Sequence, residues 1–222
     1  MLEHIHVNYK LYNTDFTIQK ALHKLDDLPM ISYDCETQAL YSIEEKAEAK
    51  DLLKGDLSYE DKKLCKLVAR SSGLSNPRLI KVTHFIFGLS KSESIICIAN
   101  NRRTEIMIFN WLSKFKGKVI IHNSLFDLKI MYERIGKLPL DYEDSMLLAK
   151  TLINNVDDWQ AKVGLKDLME SQFDPKWSLF ANYDVVNLKD KAMLDYAAID
   201  GAATYKLWED IQETIKEQNE TN

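Results

Sequence analysis

The order of hydrophobic periods is what most constrains this chain. Short runs rich in Ile, Val, Phe and Tyr at 30–35, 82–89, 94–99 and 119–121 read as strands, and an alternating run at 4–9 suggests one more. Helical periodicity occupies the gaps: 14–25 with Thr14 as cap, 104–115, and 124–135 closed by Gly136. Beyond that the pattern is almost wholly helical, at 144–152, 164–173 and 189–217, and Gly201 suggests two helices meeting near Asp200. Strands early, with helices interleaved and then dominant, predict an α/β architecture: a mixed five-stranded sheet flanked by helices. One stretch, about 41–77, is too long for a plain loop. Ser42 and Glu45 fit a capping box there, so two short helices, roughly 43–54 and 59–70, are expected as a helical insertion after the first core strand. No internal repeat or linker stands out, so residues 1–222 are expected to form a single domain with a polar, frayed tail at 218–222.

Composition narrows the function classes. No apolar run reaches the length of about 18 residues that a membrane-spanning helix needs. Cys35, Cys65 and Cys97 are scattered and odd in number, without a CxxC pair, which predicts a reduced, cytoplasmic protein without structural zinc. The net charge of −5 has the wrong sign for gripping duplex DNA, although a carboxylate-rich cation site would contribute to it.

Three groups of residues carry the chemistry. Asp34 and Glu36 are two apart on a predicted strand and so emerge on one face, while Cys35 turns into the core. Two adjacent carboxylates repel, and they either take up a proton or recruit a cation. Asn123-Ser124-Leu125-Phe126-Asp127 follows a buried strand and opens a helix, a usual place for chemistry in open sheets. Tyr196 and Asp200 stand at i and i+4, on one helix face. Singly, each has an ordinary explanation: exposed strand acids, an N-cap with a first-turn acid, a surface acid beside a core tyrosine. Together, in that order and in those contexts, they arise by chance in about one chain per hundred or fewer.

The three groups resemble the Exo I, Exo II and Exo III motifs of the DEDD (DnaQ-like) 3′→5′ exonuclease superfamily. Tyr-x-x-x-Asp is the tyrosine-branch form of the third motif; the histidine branch would need His where Asp195 stands. The run 196–204 is similar to the Exo III helix of the proofreading domain of family A DNA polymerases, and 144–149 and 164–168 to its intervening helices. The resemblance implies a ribonuclease H-like fold and a metal-dependent exonuclease acting on single-stranded DNA 3′ ends, with a DNA polymerase as partner in cis or in trans. It also implies two divalent cations, Mg²⁺ or Mn²⁺. By motif position Asp34 would touch both, Glu36 and Asp200 would complete one site, and Asp127 would hold the other. Tyr196 would orient the attacking water, since a phenol with a pKa near 10 is a poor base at neutral pH. Leu40 matches the residue that wedges between the last two bases, Asn123 matches one that approaches the substrate backbone, and Thr37 and Phe126 fall in the same motifs as substrate contacts. One departure stands out. The family pattern Asp-x-Glu-Thr-Thr-Gly-Leu has Gln38 and Ala39 here in place of Thr-Gly, and Ala39 does not readily adopt positive φ.

Two other functions compete: an RNase D-like exoribonuclease, which uses the same five residues, and a non-catalytic module that binds 3′ ends or a polymerase. Lys62, Lys66 and Arg70 form a basic stripe on the second insertion helix. That stripe is either a solvated face or a guide for a phosphate chain.

Overall fold

The computed structural model describes residues 7–69, 77–154, 163–172 and 189–220. Among the described residues six strands form one sheet: β1 (Asn8–Tyr12), β2 (Met30–Ala39), β3 (Ile80–Ser90), β4 (Glu93–Ile98), β5 (Lys118–Ile121) and β6 (Tyr142–Asp144). Their order is β1-β4-β3-β2-β5-β6. β3 runs antiparallel to both β2 and β4, and the other neighbours are parallel, so the sheet is mixed. The sequence led to an expectation of five strands; of the one expected at 4–9, residues 4–6 lie outside the described residues, and β1 lies later, at Asn8–Tyr12. The sixth, β6, has three residues with two acids among them, too short and too polar to register as a period. β3 is buried along nearly its whole length, as expected of a central strand covered on both faces.

On one face lie α1 (Asp15–His23), α4 (Arg102–Leu112) and α5 (Ser124–Ile135). Ile18, Leu22, Phe109, Leu112 and Met131 from these helices meet Tyr33, Phe85 and Phe87 of the sheet in the main core. On the other face lies α8 (Lys191–Glu220), whose Leu194, Ala197, Ala198 and Ala202 pack on Ile86 and Ile96. Two further helices, α6 (Ser145–Asn154) and α7 (Leu165–Gln172), pack against α8 through Ala149, Leu168, Leu207 and Ile211. Between β2 and β3 the expected pair of helices is present as α2 (Ile43–Leu52) and α3 (Tyr59–Ala69), with the Ser42–Glu45 capping box made in both directions.

The last helix corrects two expectations. α8 is one continuous helix of 30 residues, not two, and it runs on through Glu220, into the stretch expected to fray. Gly201 is a spacer rather than a break. A Cβ there would lie 2.6 Å from Ile86 Cγ2, so only glycine lets the helix approach β3 this closely. Gly88 answers it from the strand: its own added Cβ would lie 2.3 Å from the Gly201 carbonyl oxygen. Ser32 fastens the contact, donating to that carbonyl at 2.6 Å and accepting from the Gly88 N–H at 3.1 Å. Ser94 donates to the Ala198 carbonyl at 2.8 Å. Among the described residues no helix is long and apolar enough to cross a membrane.

Candidate active site

The close contact between α8 and β3 brings Asp200 over the strand that carries the first two acids. Asp34 and Glu36 share the face of β2 that looks toward α8, as their period-two spacing requires. Carboxylate oxygens of Asp34, Glu36 and Asp200 lie within 4.8 Å of one another. A register shift in the β2–β3 pairing falls just after Glu36, and Thr83 Oγ1 donates to the Glu36 carbonyl at 3.0 Å there. β2 then continues in strand conformation through Gln38 and Ala39, paired with Lys81 and Ile80. The path to Leu40 therefore needs no left-handed residue, which removes the difficulty raised by Ala39.

Asp127 lies outside that trio. It sits in the first turn of α5 and is 2% exposed, so it is not a surface acid that merely favours the helix dipole. Burial pushes its carboxyl well above the ordinary range and the charge of Asp34 adds to this, while a hydrogen bond from the Cys35 thiol opposes it. Burial also raises Asp34. Burial and then the charges of Asp34 and Asp200 push Glu36 up to about 8. Asp200 rises to about 7, through burial and then Asp34. The buried oxygens Asp127 Oδ1 and Asp200 Oδ1 have no hydrogen-bond partner among the described residues. Crowded carboxylates with open lone pairs form a hard, all-oxygen donor set, which suits a divalent cation of the Mg²⁺ kind. The residues present fit such ions.

Tyr196 is on the same face of α8 as Asp200 and hydrogen-bonds to it; burial and then the Asp200 charge raise its phenol further above 10, so it is neutral. Leu40 is exposed just past the end of β2 and lines an open cleft of about 520 Å³ with Arg78, Lys81 and Arg102. Thr37 is buried, on the opposite face of β2 from Glu36, while Phe126 packs partly into the main core. Asn123 is exposed, in a left-handed conformation (φ 61°), and its side chain makes no cap bond. Of the basic stripe, Lys62 faces Asp56 at 3.9 Å, Lys66 lines a groove on α3, and Arg70 lies outside the described residues.

Two residues near the acids were not singled out from the sequence. Asp144, at the end of β6, takes the place of the missing Asn123 cap: its carboxylate accepts from the N–H groups of Asn123 (3.2 Å) and Ser124 (2.8 Å). It also accepts from Met146 at 2.9 Å, capping α6. Lys166, on α7, donates to the Tyr196 hydroxyl, and its charge opposes the rise of all three clustered carboxyls. The Asp144-Ser145 pair opening a helix is a readable cap signal; nothing local marks Lys166.

Residues 93–216, more than half of the chain, match the family model described as 3′-5′ exonuclease, of the DNA polymerase A type. The chain belongs to this 3′-5′ exonuclease family. Its tyrosine four residues before the last acid places it in the tyrosine branch of the DEDD exonucleases. No curated protein sequence matches significantly. Solved structures share the ribonuclease H-like fold. Brucella melitensis NrnC bound to pGG aligns with a TM-score of 0.58 at 13% identity, over 97% of this exonuclease and 84% of that chain. The catalytic core of RRP6 from Trypanosoma brucei gives 0.63 at 10% identity, over 98% and 50%. Escherichia coli RNase D, an exoribonuclease, gives 0.57 at 13%, over 93% and 46%. Exonucleases of this type use divalent metals, and NrnC has also been solved with bound Mg²⁺.

Proposed function

We propose that this exonuclease removes nucleotides from single-stranded or mismatched DNA 3′ ends as nucleoside 5′-monophosphates, using two divalent cations. The observation that carries the reading is the trio of carboxylates within 4.8 Å, in a chain of this family. Asp34, Glu36 and Asp200 are proposed to hold one cation and Asp34 with Asp127 the other. When bound, the ions stabilise the attacking and leaving oxygens of an in-line displacement. The remaining work falls to the chain. Tyr196, neutral at working pH, orients a water against the terminal phosphorus. The new P–O bond forms as the bond from phosphorus to the 3′ oxygen breaks, and the shortened strand keeps a 3′-hydroxyl. Exposed Leu40 separates the last two bases, which is cheap only where they are unpaired. The exposed Asn123 side chain meets the sugar-phosphate backbone.

DNA is favoured as substrate because the match over 93–216 is to a family of DNA polymerase type, a sequence-level likeness. A second reading, an RNA substrate, is supported by the likeness to RNase D, an exoribonuclease, whose identity of 13% reaches only the fold. Matched DNA and RNA oligonucleotides, each with Mg²⁺ and with EDTA, decide between them. Faster Mg²⁺-dependent shortening of DNA is expected. Degradation of RNA alone would replace the DNA reading with the second one.

A further inference from the structure

Lys166 occupies an unusual position for a lysine. It is the second residue of α7, where the positive end of the helix dipole disfavours a cation. Its ammonium is nonetheless turned toward the acids: it donates to the Tyr196 hydroxyl and lies 4.5 Å from the centroid of that ring. The helix is held so that it stays there. Leu168 and Met169 are buried against α8, and the His122 ring, through Nε2, bonds the Val163 carbonyl at 3.1 Å just before α7 begins.

The direction of these bonds follows from the groups involved. An ammonium has donors and no acceptor, so the phenol oxygen must accept from Lys166. The phenol proton is then free to go to the Asp200 carboxylate, with which Tyr196 is hydrogen-bonded. The hydroxyl is thereby fixed in orientation rather than free to rotate.

We propose, building on the exonuclease reading above, that Lys166 is a positioning residue: it holds the Tyr196 hydroxyl in the orientation in which that hydroxyl hydrogen-bonds the attacking water. Lys166 then acts through the phenol and not on the nucleic acid. Replacing it by methionine keeps an unbranched apolar stem, one atom shorter, and removes the donor.

The test compares wild type, Lys166→Met, Lys166→Arg, Tyr196→Phe and the Lys166→Met/Tyr196→Phe double variant on whichever oligonucleotide the wild type shortens faster. Lys166→Met is expected to lower kcat by about tenfold to a hundredfold. The double variant should be within about twofold of Tyr196→Phe, because one interaction cannot be lost twice. Lys166→Arg should regain part of the rate. Binding of the same oligonucleotide with a terminal phosphorothioate, in Ca²⁺, should stay within about twofold of wild type, a readout separate from turnover. Losses that multiply in the double variant, weakened binding, or an unchanged kcat in Lys166→Met would each overturn the proposal. An unchanged Lys166→Met beside an inactive Asp34→Ala would sink this inference alone, whereas an inactive wild type would sink the exonuclease reading beneath it.

Discussion

Substituting Gly88 by alanine tests how the fold sets the position of Asp200. The added carbon would lie 2.3 Å from both the Gly201 carbonyl oxygen and Ser32 Oγ, and 2.6 Å from the Gly201 carbonyl carbon. Carbon contacts are comfortable at about 3.5 Å, so α8 has to retreat by about 1 Å, because backbone on both sides cannot rotate away. Overpacking of this kind costs about 1–3 kcal/mol, and losing the Ser32 hydrogen bond to Gly201 adds about 1 kcal/mol. A loss of 3 kcal/mol lowers Tm by about 6–12 °C in a chain of this size. Asp200 precedes Gly201 and moves with it, and a misplacement of about 1 Å costs roughly a hundredfold in rate. Melting by calorimetry and initial rates on a labelled oligonucleotide give the two readouts. Gly136→Ala is the control. Its φ is +65° with no atom within 4 Å, so it should cost about 1–2 kcal/mol of stability and leave the rate alone. Wild-type kcat and Tm in Gly88→Ala would refute the argument that this backbone contact places the acid.

Stability of the metal-free protein should depend on pH. Asp200 near 7 and Glu36 near 8 keep protons in the fold that the unfolded chain releases around pH 4, so stability falls as pH rises from about 4 to 8. Melts in EDTA should give a lower Tm at pH 8.5 than at pH 5.5, with Mg²⁺ recovering most of the difference; a flat profile in EDTA would contradict the crowding of these carboxyls. Asp200→Asn should abolish turnover yet melt higher than wild type in EDTA at pH 8.5, since it removes a buried charge; a lower melting point there would count against that cost. Tyr196→Phe should slow hydrolysis while Mn²⁺ affinity stays nearly unchanged, and a strong shift in the metal titration would mean the phenol is a ligand.

The acids were legible because their constraints are local. Two residues on one strand face and an i, i+4 pair on one helix fix directions that tertiary structure only has to bring together. Ser42 and Glu45 announced α2 for the same reason. Gly201 misled because glycine breaks helices in isolation, and only Gly88, more than a hundred residues away, explains why it is tolerated inside α8. Lys166 was hidden for a related reason. Its meaning depends on α7 docking against α8, a contact that leaves no period in the sequence around it. Asp144 lay between: its cap on α6 was readable, but its cap on α5 required a three-residue strand that only pairing with β5 creates.

The central claim is that Asp34, Glu36, Asp127 and Asp200 form a metal-dependent site that works from the 3′ end. One measurement addresses it directly: a single-stranded DNA oligonucleotide labelled at its 5′ end in one tube and its 3′ end in another, followed over time in Mg²⁺, in EDTA, and with Asp34→Ala. The account predicts a descending ladder from the 5′ label and immediate release of labelled mononucleotide from the 3′ label. Both should vanish in EDTA and fall about a thousandfold or more in Asp34→Ala. Shortening that proceeds equally in EDTA, or that survives in Asp34→Ala, would contradict it.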